Sequence, residues 1–384
     1  MKQMAIVVVG YDRPDSMRRL LQSLLRAEYD ENNIDLIISL DRSDRQNELI
    51  ALANEISWLY GEKILRVFPE KQGLRNHVLQ CGDLTKNYAA VIVLEDDLVV
   101  SPYFYSYVRQ ALDRYGEDER IAGISLYTLQ FHQGVGRPFE AVNNGYDAFI
   151  MQVAMSWGQC WTDKMWSRFR QWYDVNKEKD LSEGGILPLY IAQWSSQSWL
   201  KYFMRYIAES NTYFVYPYYS LSTNASELGE HCKIQNNDYQ VPLLDGNLQY
   251  RFPSFEQAVK YDIFFERLGI EDRIFPDLAG KKILDLYGGR SGWGSADYII
   301  STAELPFRKI RTLALRYRPM EMNCFYPQQG DGLYIYDAHS PAPQARQNVN
   351  RITRYDVRAI SWKNLLRLGW AGFVDALKRK LRIQ

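Results

Sequence analysis

Residues 91–100 read VIVLEDDLVV, an apolar strand that runs into three consecutive acids, Glu95, Asp96 and Asp97, and then turns apolar again. Adjacent carboxylates repel one another and lose hydration when the strand that carries them is buried. Capping the helix expected in SPYFYSYVRQAL would need one carboxylate rather than three. A divalent cation with oxygen ligands, Mn2+ or Mg2+, neutralises such a cluster and can bridge it to phosphates. Bound there, it would stabilise charge on a departing diphosphate.

The segments around this strand give it a place. MAIVVVGYDRP predicts a buried strand over 4–9 and a polar loop. DSMRRLLQSLLRAEY predicts a helix capped by Asp15 or Ser16, with Met17, Leu20, Leu21, Leu24 and Leu25 on one face. IDLIISLDRSD is a second strand, ending at Asp41 and Asp44. A helix over about 46–60, the short strand KILRVF and a helix in QGLRNHVLQCGDL lead to AAVIVLEDDL, and SPYFYSYVRQALDRYG closes the series as a helix. Such alternation predicts an α/β fold with a mainly parallel, doubly wound sheet, whose ligands gather at the carboxyl ends of the strands. Three of those ends carry Asp12–Arg13, Asp41 and Glu95–Asp97, so the acids are expected on one rim. No GxxxxGK[ST] loop occurs, which turns the expectation from nucleoside triphosphate hydrolysis to a nucleotide diphosphate joined to another group.

Composition narrows the classes further. The chain has 384 residues and 46% hydrophobic content, enough for a large core, and its zero formal charge argues against nucleic-acid binding through a global basic field. Cys81, Cys160, Cys232 and Cys324 are widely spaced, as in a reduced cytosolic protein. The N-terminal apolar run is too short for a signal peptide, and no stretch is long enough to span a membrane. Residues 190–220 hold 11 aromatics in 31 positions, which serve either as core or as a wall for stacking sugar rings.

Beyond residue 250 the character changes. RFPSFEQAVKYDIFFERLGI predicts a helix, and KKILDLYGGRSGWGSADYII a strand followed by a glycine-rich loop. The last stretch, residues 361–384, carries six Lys or Arg against one Asp, with Trp362, Leu366, Trp370, Phe373, Leu377 and Leu381 spaced for one helical face. A basic amphipathic helix of this kind lies in an anionic membrane interface or docks on its own protein's core. Three regions are thus expected: 1–250 with the sheet, an accessory region 251–360, and the helix 361–384.

IVVVGYDRPDSMRRLLQSLL, ISLDRSD, GLRNHVLQCGD and VIVLEDDLVVSPYFYSYV together resemble the GT-A nucleotide-sugar glycosyltransferases, in particular the N-acetylglucosaminyltransferase I type and bacterial family 2-like enzymes. The resemblance implies a Rossmann-like GT-A fold with a C-terminal mixed extension. It also implies a DxD-type motif in which Asp97 binds the metal, Asp96 lies nearer the sugar and Glu95 adjoins the donor. Asp12 and Arg13 then match the first nucleotide contact, Asp41 the base edge, and Arg75 and Asn76 the segment over ribose and diphosphate. In the resemblance, VAMSWGQCWTDKMWSRF places Trp157 and Gly158 at the donor–acceptor border, and the aromatic stretch 190–220, with Trp194, is expected on the acceptor side. YFVYPYYSLSTNASELGEHC brings His231 toward the metal or diphosphate.

One departure stands out. Inverting relatives carry an acid beside a tryptophan to deprotonate the acceptor hydroxyl, whereas here QWSSQSW offers only Ser195 and Ser196. Asp163 and Glu183 are the remaining acidic candidates. The expectation is a metal-dependent glycosyltransferase of bacterial surface polysaccharide synthesis, cytoplasmic and peripheral on the inner face of the membrane. It would move a sugar to a hydroxyl of a glycan or lipid-linked acceptor. The alternatives are a catalytically silent sugar-binding or assembly protein of the same fold, and an S-adenosylmethionine methyltransferase built on the YGGRSGWGS loop with Glu304 at the ribose. Asp337 and His339 in YDAHS form a further, weaker pair.

Overall fold

The computed structural model describes residues 4–182, 185–225, 238–347, 349–357 and 360–381. The chain divides into two compact units, one of residues 1–273 and 289–294, the other of 274–288 and 295–384.

The first unit opens with the expected alternation: β1 (Met4–Gly10), α1 (Pro14–Arg26), β2 (Ile34–Leu40), α2 (Gln46–Glu55), β3 (Lys63–Val67), α3 (Gly73–Gly82) and β4 (Ala90–Glu95). It continues with β5 (Leu98–Val100), α4 (Phe104–Tyr115), β6 (Ile121–Ser125), the hairpin strands β7 (Phe131–His132) and β8 (Arg137–Pro138), then β9 (Ala148–Met151) and β10 (Gln159–Thr162). After these come α5 (Asp163–Asn176), α6 (Leu189–Ala192), α7 (Trp199–Ser210), β11 (Tyr213–Pro217), β12 (Ser222–Asn224) and β13 (Lys260–Tyr261). Nine strands form one sheet in the order β13-β9-β11-β6-β10-β4-β1-β2-β3. β4, β1, β2 and β3 run parallel, and β10 enters antiparallel between β4 and β6. The fold is therefore mixed α/β with a large, mainly parallel sheet flanked by helices. β1 is apolar along its length and β2 is interrupted only by the buried Asp35 and Ser39, because both faces of such a sheet are covered. α1 supplies part of that cover through Met17, Leu20, Leu21 and Leu24, all fully buried.

The details depart from expectation in three places. α1 begins at Pro14 with Arg13 at its cap and no side-chain cap, because proline's fixed φ starts the helix before Asp15 is reached. α2 stops at Glu55, and the chain extends so that Trp58 Nε1 can donate to the Ile34 carbonyl at 2.6 Å. Residues 251–270 form no helix: they add the edge strand β13 beside β9. There the Asp262 carboxylate accepts the amides of Phe264 (2.8 Å) and Glu266 (3.0 Å), a local alternative to helical pairing, and Phe265 takes a positive φ.

Most of the aromatic stretch is core. Trp199, Tyr202, Phe203, Tyr206, Phe214 and Tyr216 are buried, and Phe203 meets Phe169 with ring centroids 4.3 Å apart. Cys81, Cys160 and Cys324 are buried thiols outside any disulfide; Cys232 lies outside the described residues.

The second unit holds β14 (Lys282–Asp285), β15 (Tyr298–Ser301), β16 (Phe307–Ala314), α8 (Met322–Phe325), β17 (Gly332–Pro341), α9 (Val349–Val357) and α10 (Trp362–Leu381). Its sheet runs β14-β15-β17-β16, with only the first pair parallel. The glycine-rich loop joins β14 to β15 without an intervening helix, so it offers no helix N-terminus for a cofactor's ribose or phosphate. Glu304 pairs with Lys309 (2.6 Å), Asp337 with Arg308 (2.7 Å) and His339 with Asp297 (2.9 Å), which gives each a structural partner. On α10, Trp362, Leu366, Trp370 and Phe373 are 58–69% exposed. No helix among the described residues is long and apolar enough to cross a membrane.

Candidate active site

The register of the central strands sets the rim. Val9 lies opposite Glu95, Gly10 opposite Leu40, and the Asp41 amide donates to the Gly10 carbonyl at 3.0 Å. The loops after β1, β2 and β4 therefore leave the sheet side by side.

Arg13 reaches from the first of these loops into the third. Its Nη2 pairs with Asp96, and its Nη1 donates to Asp97 Oδ2 at 3.3 Å. Burial works against this guanidinium, but Asp96 and Asp97 outweigh it and hold its pKa above the ordinary value. Asp96 is buried. Burial pushes its pKa up to about 7 against the pull of Arg13, while repulsion from Asp97 adds to the rise. Glu95 rises to about 8 through loss of solvent and the neighbouring Asp97 and Asp96, moderated by Arg13 and a hydrogen bond from Ser156. Asp97 Oδ1 is buried without a hydrogen-bond partner. That is a costly state for a carboxylate oxygen.

β10 brings a second wall to the same rim. Because it runs antiparallel, with Gln159 opposite Val93, the Ser156–Gly158 turn at its start lies beside the end of β4. Trp157 is half-buried between Tyr127 and Tyr239, with ring centroids 4.8 and 4.9 Å away, and its carbonyl accepts from Ser222 Oγ at 2.6 Å. Gly158 has φ +90°, and a Cβ there would meet Leu126 Cδ1 at 3.0 Å and Ser222 Oγ at 3.1 Å. Past the acids, β5 pairs with β12, and the Ala225 amide donates to the Asp97 carbonyl at 2.9 Å.

The remaining sequence candidates fall in several places. Asp12 is half-buried in the Arg13 loop. Asp41 is buried and spends its carboxylate on backbone: Oδ1 accepts the Arg42 and Gln72 amides, each at 2.7 Å, and Oδ2 accepts Gly73 at 2.9 Å. It thereby anchors the start of α3, which carries Arg75 and Asn76. Arg75 turns toward α5 and α7, donating to Tyr173 Oη (2.6 Å) and the Ser196 carbonyl (2.9 Å) with its guanidinium over Tyr202. Asn76 is exposed and donates to the Gln72 carbonyl at 3.3 Å. Trp194 is half-buried against Tyr190. Asp163 follows Thr162, which pairs with Ala90 at the opposite end of β4, so it sits across the sheet from the acids. Glu183 and His231 lie outside the described residues. Ser156 and the counter-ion role of Arg13 escape sequence reasoning. The first shows only once β10 is known to return antiparallel, and the second only once the loops after β1 and β4 are adjacent.

Among the described residues, no three His, Cys, Asp or Glu side chains converge to hold a metal ion. The site offers a pair of aspartates with one unpartnered oxygen. That suits a hard cation which takes one or two protein carboxylates and fills its other positions with phosphate oxygens and water.

No family model and no curated protein matches the chain. Among solved structures, it is similar to S. aureus TarS 1–349 in complex with UDP-GlcNAc, with a TM-score of 0.38 and 10% identity over 60% of each chain. It is similar to S. aureus TarS with a TM-score of 0.33 and 9% identity, over 54% of this chain and 34% of that one. The mannosyltransferase PcManGT from Pyrobaculum calidifontis, in complex with GDP-Man and Mn2+, gives a TM-score of 0.31 and 10% identity, over 44% of this chain and 46% of that one. The chain thus spans between about a third and three fifths of these proteins' lengths.

Proposed function

We propose that this chain is a glycosyltransferase that moves a sugar from a nucleotide diphosphate donor to a hydroxyl of a glycan or lipid-linked acceptor. The observation that carries it is the buried, unpartnered Asp97 Oδ1 at a rim where three strand ends meet, with Arg13 already drawn to the acids. Asp97, assisted by Asp96, would hold Mn2+ or Mg2+. When bound, the ion supplies positive charge against the leaving diphosphate. Arg13 and Asp12 would make the first nucleotide contact, with the Arg13 guanidinium toward the phosphates, and Asp41 would shape the loop beside the base. Arg75 fastens the Ser195–Ser198 turn, and with it the segment bearing Trp194, to the donor half of the site. Trp157 would stack on the acceptor sugar, and Gly158 lets the chain turn close beneath it.

Bacterial surface polysaccharide is the setting that the resemblance supplies. The exposed apolar face of α10, with Lys363, Arg367 and Lys378 on the same helix, supports a peripheral contact with an anionic membrane. One observation favours a silent, sugar-binding protein instead: the turn that Arg75 holds carries Ser195 and Ser196 and no acid to act as general base.

A panel of UDP-, GDP- and dTDP-sugars with Mn2+ separates these ideas. The transferase should be stabilised by at least one donor and hydrolyse it slowly. Binding without hydrolysis or transfer would support the silent protein, and the absence of any binding would overturn both.

A further inference from the structure

The carboxylates that would face a divalent ion already hold a cation of the chain's own. Arg13 Nη1 lies 3.3 Å from Asp97 Oδ2, and its Nη2 pairs with Asp96. The side chains of Asp96 and Asp97 are 3% and 15% exposed, and that of Arg13 is 25% exposed. The acids are therefore fixed in the protein, while the arginine keeps a path to solvent. Its backbone belongs to no regular element: residue 13 has φ −117° and ψ 77°, held out of the helix by Pro14. Two other arginines near the rim are engaged elsewhere, Arg42 of the β2 loop with Gln46 at 3.1 Å and Arg75 of α3 with Ser196.

A guanidinium fork fits a phosphate as well as it fits a carboxylate. Removing it from buried acids without replacement would leave charge uncompensated, which is strongly unfavourable. A dication arriving at Asp97 supplies that replacement, and a diphosphate arriving with it gives the arginine a new partner. We propose that Arg13 is a transferable counter-ion, bound to Asp96 and Asp97 when the donor is absent and passed to the donor's phosphates when a divalent cation enters with them. The site then takes its metal as part of the donor complex and binds it weakly alone. This rests on the transferase proposal above.

The test measures Mn2+ binding directly, by calorimetry and by loss of the free-ion EPR signal, on the full chain. Wild type should bind Mn2+ alone weakly, and UDP, GDP or dTDP should tighten that binding about tenfold or more, the size of an ordinary coupling. Arg13→Gln should bind Mn2+ alone about tenfold more tightly than wild type and lose most of that coupling. Arg13→Lys, which keeps the charge without the fork, should fall between them and serves if the Gln variant does not fold. Adding Asp97→Asn to Arg13→Gln should abolish the gain. Arg13 variants that bind Mn2+ no more tightly than wild type would overturn the counter-ion role, as would a gain that survives Asp97→Asn. If wild type binds nucleoside diphosphate with Mn2+ in those cases, the transferase proposal stands. If it binds none of the three, both fail.

Discussion

Asp41 and Gly73 are joined across two loops: the aspartate Oδ2 accepts the glycine amide at 2.9 Å, and its Oδ1 accepts the amides of Gln72 and Arg42. One buried carboxylate thus starts α3 and ties the end of β2 to the end of β3. Asp41→Ala strands three amide donors and should cost about 3 kcal/mol of unfolding free energy. Asp41→Asn, which keeps an acceptor, should cost less. Urea denaturation checks both, and equal losses in the two variants would deny the carboxylate this role.

Asp97→Ala removes the oxygen left unpartnered in the rim. It should lower metal-dependent turnover by at least about a hundredfold, the usual scale for one electrostatic group, while the circular dichroism spectrum stays that of wild type. Full activity in a folded variant would remove Asp97 from the metal site.

Gly158→Ala introduces a Cβ at φ +90°, against Leu126 and Ser222. The strain should destabilise the protein by about 1–3 kcal/mol and displace Trp157 from its place between Tyr127 and Tyr239. Tryptophan fluorescence and thermal melting report the two effects. A wild-type melting temperature would show that the turn relaxes freely.

His77 gives the protein a pH dependence with a definite sign. It is buried, with its Nε2 2.8 Å from Ser39 Oγ, and burial pushes its pKa from 6.5 down to about 4. Asp41 opposes this shift and Arg66 adds to it. The unfolded chain takes up the proton near the ordinary value, whereas the folded chain resists until about pH 4. Stability present above pH 6.5 is therefore lost as the pH falls toward 4, by about 3 kcal/mol from this residue. His77→Gln should flatten that slope. His132, pushed down to about 3 mainly by burial, contributes a slope of the same sign that the variant retains. Identical acid slopes in wild type and variant would exclude the effect.

Deleting residues 361–384 removes the exposed face of Trp362, Leu366, Trp370 and Phe373. The truncated chain should lose co-sedimentation with anionic phosphatidylglycerol vesicles. Unchanged partitioning would rule out the helix as the contact.

The rim was legible because its signals are local and periodic. β1 and β4 are apolar runs, β2 is nearly one, and each leads into a loop that carries acids; a parallel sheet brings such ends together whatever the loops do. The interior of the site was less so. Whether Arg13 faces a phosphate or the chain's own Asp96 is decided by a contact 83 residues away in sequence, which no periodicity encodes. The helix expected at 251–270 fails for a comparable reason. Its apolar spacing is equally served by an edge strand, and Asp262 turns the balance by capturing nearby amides. The aromatic run 190–220 went mainly to core, where ring area is most useful, and left Trp157, outside that run, at the border of the site.

The antiparallel course of β10 has an evolutionary consequence. A single cross-strand register, Gln159 opposite Val93, couples the Ser156–Trp157–Gly158 turn to the acidic strand without a shared loop. Insertions or substitutions before Gln159 can remodel that turn while the carboxylates stay where β4 puts them. On the proposed function, descendants of such a scaffold diverge in the molecules they accept while the charged centre is inherited unchanged.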